Sequence, residues 1–182
     1  MKTESTAKYV MRLALTLLVI TSVVAVALAG VNSVTEPRIA AIAAEKTQSA
    51  IEAVLPGGGE QVDFTDDSGI VSAVYQGQAG YAVEVVPAGF NGGITMMVGI
   101  DNQGTVLGIC VVSNTETAGL GAIAGADTSA GEAFRSQFAG TSGSVAVSKD
   151  GGQLDSITGA TITSRAICTG VNAALACVAN QG

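Results

Sequence analysis

The sequence predicts an α+β protein: a single N-terminal transmembrane helix followed by an antiparallel-sheet domain with flanking helices. Three observations carry this expectation. Residues 13–31 contain no charged side chain. Between residues 62 and 112 the apolar spacing has a period of two and is punctuated by glycine-rich turns. On either side of that stretch the apolar spacing is helical.

The N-terminal segment reads "LALTLLVITSVVAVALAGV" over residues 13–31. As a helix these residues rise about 28 Å, close to the hydrocarbon thickness of a bilayer. Residues 1–12 carry Lys2, Lys8 and Arg12 against Glu4, and the next base is Arg38. The positive-inside rule therefore expects residues 1–12 in the cytoplasm and residues 32–182 on the extracytoplasmic side of the cell membrane. A cleaved signal peptide is the rival reading, with Ala27-Leu28-Ala29 as its cleavage site. The chain carries the segment, so an uncleaved anchor is the expectation.

A connecting helix is expected over residues 32–56. Ile39, Ile42, Ala43, Ala50, Ile51 and Val54 fall at helical spacing. Thr35 suits an N-cap, Pro37 a first turn and Pro56 a stop. The expectation is a helix continuing from the membrane span with a break near Asn32-Ser33.

The outer domain is expected over residues 57–182. Strands are predicted at Val62–Thr65, Ile70–Tyr75, Tyr81–Val86, Ile94–Ile100 and Val106–Val112. The turns "DDSG", "GQAG", "GFNGG" and "DNQG" separate them. Residues 131–139, "GEAFRSQFA", predict a short helix with Phe134 and Phe138 inward, and Val145–Val147 a further short strand. A last helix is expected from about Ser164 to Ala179.

Composition narrows the function. At 48% hydrophobic residues the chain can build a core, but with no Trp and 4% aromatics that core must be Val, Ile, Ala and Leu. The net charge is −7, and beyond residue 12 five bases face fourteen acids. Such a body argues against nucleic acid as a partner. There is no histidine, which removes the commonest general base and metal ligand. Cys110, Cys168 and Cys177 have no CxxC spacing, so an internal zinc or iron–sulfur site is not expected. They read as small buried apolar residues.

Two stretches carry chemistry. "SNTETAGLGA", residues 113–122, follows a predicted strand, and Gly119 and Gly121 would let backbone approach a ligand. "DSITGATITSRAICTGVNAAL", residues 155–175, places a hydroxyl-rich joint before a helix. Unpaired amides at a helix start favour an anion, so a phosphate near Thr161–Ser164 and a merely water-bound cap are both open readings.

The sequence resembles the flavin-carrying G subunit of the Rnf electron-transport complex, and more distantly the C subunit of the sodium-pumping NADH:quinone reductase. In that family Asp-x-x-Ser/Thr-Gly-Ala-Thr marks a threonine bonded to FMN through its phosphate. Asp155-Ser156-Ile157-Thr158-Gly159-Ala160-Thr161 matches it completely, and Thr163-Ser164 also follow the family. "GGITMMVGIDNQGTVLGICVV" and "ETAGLG" resemble the family's sheet and flavin-side loop, so the likeness covers essentially the whole chain. Two positions depart: Ala118 stands where the family has proline, and Asn114 stands near a frequent histidine.

The resemblance implies covalent FMN on Thr161, with Asp155, Thr158, Gly159 and Ala160 completing the signal read by a flavin transferase. It implies Thr163 and Ser164 around the phosphate, and Glu116, Thr117, Gly119 and Leu120 along the isoalloxazine. The implied role is an electron carrier among the other membrane and peripheral subunits of an Rnf-type complex. Such a complex joins ferredoxin:NAD electron transfer to Na⁺ or H⁺ translocation, so this chain is a subunit rather than a free-standing enzyme. Two alternatives stay open: a membrane-anchored covalent flavoprotein of another extracytoplasmic system, and an anchored binding protein without redox function. Thr16, Thr21 and Ser22 in the span read as helix-packing residues rather than ion ligands.

Overall fold

A computed structural model describes residues 6–181. Lys2 and Glu4, two of the charges that bear on the orientation of the span, lie outside the described residues. The order of elements is α1 (Thr6–Val54), β1 (Glu60–Val62), β2 (Val71–Gly77), β3 (Gly80–Val85), β4 (Ile94–Asp101), β5 (Val106–Asn114), α2 (Ser129–Ser136) and α3 (Thr161–Ala179). Two short 3₁₀ turns, Gly121–Gly125 and Ser148–Asp150, flank α2. The fold class expected from the sequence is borne out.

The chain divides into two compact units after Glu45. In the first, the side chains of α1 stand exposed, Leu15 at 62% and Val26 at 73%, which suits a surface that lipid or partner helices cover. The two threonine hydroxyls of the span bond locally. Thr16 donates to Arg12 O at 2.8 Å and Thr21 to Leu17 O at 3.0 Å. Neither hydroxyl is left seeking a distant acceptor.

The expected break near Asn32-Ser33 is absent, because α1 runs unbroken over 49 residues with Pro37 inside it. Side chains near that point bond back into the helix instead of capping a new one. Ser33 donates to Gly30 O at 2.9 Å and Thr35 to Val31 O at 2.7 Å. Thr35 is therefore a mid-helix residue and not an N-cap.

The second unit begins at Lys46, so the last turns of α1 belong to it. Its sheet is a five-stranded meander in the order β1-β2-β3-β4-β5, with every pairing antiparallel. The alternation along each strand sends side chains to two faces. On β4, Ile94, Met96, Val98 and Ile100 join the core that contains Phe134, Phe138, Ile167 and Val171. Met97 points the other way and packs with Ala50, Ile51, Val54 and Leu55 from the end of α1 and just beyond. The α1 end lands where the sheet is thinnest: Ala82, Gly99 and Gly108 are cross-strand neighbours there. A Cβ on Gly99 would collide with the carbonyl of Val54, so only glycine admits that contact.

The expected strand at Val145–Val147 does not join the sheet. Val147 makes a lone parallel bridge to Leu154, and both side chains are buried. The segment is held by packing and by Asn172, which accepts from Val145 N at 2.8 Å and donates to its carbonyl at 2.9 Å. Phe134 and Phe138 face inward as expected, edge to face at 5.4 Å. α3 is apolar and long enough to cross a membrane, yet it packs as the core helix of the sheet. Cys168 and Cys177 are buried on it, and burial pushes the Cys168 thiol up to about 11.

Candidate functional site

The two stretches singled out in the sequence meet in space. The loop after β5 and the start of α3 form opposite walls of a cavity of about 390 Å³. Glu116, Thr117, Leu120 and Gly121 come from the loop, and Gly159, Ala160, Thr161, Ile162 and Thr163 from the joint and first helical turn. Phe90, in the β3–β4 turn, and Lys149, in the second 3₁₀ turn, complete the lining. The volume falls in the range of small-ligand sites, which run from about 300 to 1,000 Å³.

The walls are joined by a buried carboxylate. Glu116 is 9% exposed. One of its oxygens accepts from the Asn91 amide at 2.9 Å, and the other accepts from the Thr163 hydroxyl. Asn114, at the place where the family often has histidine, accepts from the Glu116 amide at 3.1 Å and so shapes the loop. Gly121 lies against this pair. A Cβ there would sit 2.5 Å from Thr163 Oγ1 and 2.6 Å from Glu116 Oε2. This glycine, rather than Gly119, gives the close approach expected of the loop. Gly119 is exposed and does not line the cavity; its φ of +77° serves the turn at Thr117–Leu120.

The helix start differs from expectation. α3 begins at Thr161, its N-cap is Ala160, and no side chain caps it. Ser164 is therefore not the N-cap and does not line the cavity. It is fully buried inside the first turn, where its hydroxyl accepts from Ile157 N at 3.0 Å and donates to Ala160 O at 3.0 Å. The helix starts three residues earlier than expected, so Ser164 is its fourth residue and is bonded to the Ile157–Ala160 segment, while Thr161 is its first and lines the cavity wall. Thr161 is half-buried, and its Oγ1 accepts from Lys149 Nζ at 3.1 Å.

The seven-residue motif divides between two surfaces. Gly159, Ala160 and Thr161 line the cavity. Asp155, Ser156, Ile157 and Thr158 line a separate groove of about 500 Å³ against α2. Thr158 is thus away from the cavity and is not among the residues that could touch a ligand in it. Gln137, the C-cap residue of α2, fixes that groove by accepting from the Asp155 amide at 2.7 Å and donating to its carbonyl at 3.3 Å. Between the two halves, Gly159 takes a φ of +77°, which lets the chain change direction.

Lys149 is a site residue that the sequence motifs do not pick out. A signal existed: it is the one base between Arg135 and Arg165 in an acidic domain, and it precedes Asp150-Gly151-Gly152. Its 3₁₀ turn is fastened to α3 by a two-pronged ion pair. Arg165 Nε donates to Asp150 Oδ2 at 2.6 Å and Arg165 Nη2 to Oδ1 at 2.5 Å. The bond to Arg165 holds the Asp150 carboxyl below its ordinary range. Phe90 and Ile162 lie outside the motif readings too; both are exposed, at 66% and 50%, and with Leu120 at 42% they give the cavity an apolar rim.

This geometry suits a flavin phosphate: one cation, the unpaired amides of a long helix and a hydroxyl at one end, and an apolar rim for a ring system. An FMN-binding domain family matches residues 89–176, a stretch that contains every residue of the cavity. The chain is 31% identical to the G subunit of the ion-translocating oxidoreductase complex of Methanosarcina acetivorans, over 97% of this chain and 98% of that one. The chain belongs to that G-subunit family. It is 33% identical to the G subunit of the Na(+)-translocating ferredoxin:NAD(+) oxidoreductase complex of Acetobacterium woodii, over 91% of this chain and 89% of that one. The corresponding G subunit of Vibrio vulnificus is 43% identical across 54% of this chain and 49% of its own length. The resemblance to the Rnf G subunit is thereby borne out. The chain is an FMN-binding, electron-carrying subunit of a multi-subunit oxidoreductase complex, membrane-anchored through its N-terminal helix.

Proposed function

We propose that FMN is held covalently, as a phosphoester on Thr161 Oγ1, in the cavity between the 116–121 loop and the start of α3. The observation that carries this is the position of Thr161. Of the motif's two threonines it is the one on the cavity wall, beside Lys149 and the open helix terminus. FMN would supply the redox chemistry, and the chain's residues supply binding and placement. Thr163 and Gly121 set the cavity floor by fixing Glu116, while Thr117, Leu120, Phe90 and Ile162 offer contacts to the isoalloxazine. Gly159 and Ala160 hold Thr161 at the mouth. Asp155 and Thr158 remain accessible in the neighbouring groove, which supports their part in recognition by a flavin transferase.

The complex served is an Rnf-type ferredoxin:NAD oxidoreductase coupled to Na⁺ or H⁺ translocation, as the Acetobacterium woodii relative's name states, with Na⁺, for that protein. The electrons pass between redox centres of partner subunits by way of this flavin. The domain from residue 32 onward lies outside the cytoplasm, on the charge pattern around the span. A tether suits that side, because a cofactor lost there cannot easily be reloaded.

The test is in-gel flavin fluorescence on a denaturing gel, with the chain expressed beside its transferase. The expected result is a fluorescent wild-type band and a dark Thr161→Ala band. A dark wild type overturns covalent FMN; equal bands overturn Thr161. Topology has its own measurement: protease added outside spheroplasts should degrade the domain, and protection would reverse the orientation.

A further inference from the structure

We infer that Lys149 is the residue that makes the cavity select a phosphorylated flavin over riboflavin, and that the Asp150–Arg165 pair positions it to do so. This deepens the reading above and rests on it, since it takes the flavin phosphate to lie at Thr161.

The cavity lining carries one carboxylate, Glu116, and one ammonium, Lys149. Glu116 lines it as a buried carboxylate, held by the Asn91 amide and the Thr163 hydroxyl. Among the described residues Lys149 is the only cation on the lining, with its Nζ 3.1 Å from Thr161 Oγ1. A phosphate entering this acidic domain meets repulsion from the net charge of −7 and from Glu116 in particular. Attraction comes from one place, where the Lys149 ammonium and the first amides of α3 converge on Thr161. The flavin's phosphate group is thus favoured beside the Thr161 hydroxyl, and its uncharged ring is left to the apolar lining residues Leu120, Phe90 and Ile162. Riboflavin has the same ring and ribityl chain but no phosphate, so it gains nothing from Lys149.

A lysine on a free surface loop would hold no fixed position, given its rotamer freedom. Here the next residue is clamped. Asp150 takes both Arg165 donors, at 2.6 and 2.5 Å, and Arg165 lies one turn beyond Thr161 on the same helix. The clamp therefore ties the backbone beneath Lys149 to the helix that carries its target. Arg165 itself acts through this placement and does not line the cavity.

The experiment uses the full-length chain with Thr161→Ala, so that binding is reversible, and titrates it with FMN and with riboflavin by flavin fluorescence. FMN is expected to bind at least ~10-fold tighter, as one charge-assisted contact provides. Adding Lys149→Gln should erase that preference while leaving riboflavin affinity within about twofold, which also shows that the domain is folded. Lys149→Arg should restore most of it, and Arg165→Gln should weaken it by less than Lys149→Gln does. Rising salt should reduce FMN binding and leave riboflavin binding unchanged. An FMN preference that survives Lys149→Gln overturns this inference and leaves the Thr161 assignment standing. A Thr161→Ala protein that binds neither flavin overturns this inference, while the Thr161 assignment stands or falls on the denaturing gel.

Discussion

Thr161 and Ser164 stand three residues apart on the first turn of one helix, carry the same functional group, and do opposite things. Thr161 faces the cavity, half-buried, with Lys149 as its neighbour. Ser164 faces the core, fully buried, and satisfies the Ile157 amide. The difference teaches that a hydroxyl's chemistry here is set by what packs against its position and not by residue type. Three residues apart on a helix the two side chains lie about 60° from each other, so what separates them is cover: Thr161 is the first residue of α3, at the cavity, and Ser164 is bonded to the segment that precedes the helix.

Substitution should separate the two faces sharply. The largest expected effect is on Thr161→Val: complete loss of covalent flavin on a denaturing gel, with little change in thermal stability, because the lost hydroxyl contacts only an exposed lysine. Next comes Gly121→Val. Its Cβ alone would stand 2.5 Å from Thr163 Oγ1, so the Glu116–Thr163 link must break or the loop must move. That should cost about 1–3 kcal/mol in chemical denaturation and reduce flavin loading as well. If loading were untouched, the loop would not be a wall of the flavin site.

Ser164→Ala should do the reverse of Thr161→Val. It keeps the fluorescent band but leaves the Ile157 amide unpaired in the core, at a cost of about 1–3 kcal/mol by urea denaturation. A dark band from this variant would erase the distinction between the two faces. The smallest effect belongs to the Asp150–Arg165 pair. Its bond to Arg165 depresses the Asp150 carboxyl below the ordinary value of 3.8. A depressed acid contributes stability above its unfolded value and loses it as pH falls through the folded one. The wild type should therefore lose a small increment of stability below pH 3.8, and Arg165→Gln should lack that increment. High salt should shrink the difference between them, since both groups are at the surface.

Much of the fold was legible because its signals are local. Period-two runs with glycine turns mark all five strands to within a few residues, and Phe134 and Phe138 are inward as their spacing implies. The misread places are those where neighbours overrule local preference. Pro37 and Thr35 resemble a helix start, yet α1 passes through them. Val145–Val147 has strand-like residues, but it pairs only through the Val147–Leu154 bridge and is held by packing and by Asn172. In the site, Glu116, Thr117, Leu120 and the 159–161 residues are legible because two compact motifs carry them. Lys149 and Phe90 escape because each reaches the cavity from a segment with no motif of its own, and Ile162, between Thr161 and Thr163, because an apolar side chain carries no signal of chemistry.

The sequence alone determined the charge-free N-terminal helix and the strands of an antiparallel sheet, since charge-free length and side-chain period are properties of the chain read in order, and its resemblance to a family pointed to Thr161 among the hydroxyls. Only the tertiary structure decided which hydroxyls share the cavity with a cation and which are sealed in the core. It also divided one seven-residue motif between two surfaces. Those outcomes depend on the exact residue at which α3 begins and on contacts spanning 12 to 47 positions, from Lys149 to Thr161 and from Glu116 to Thr163. Where a helix starts and which of its first residues are covered is decided by the packing of the rest of the domain, against which local propensity is weak.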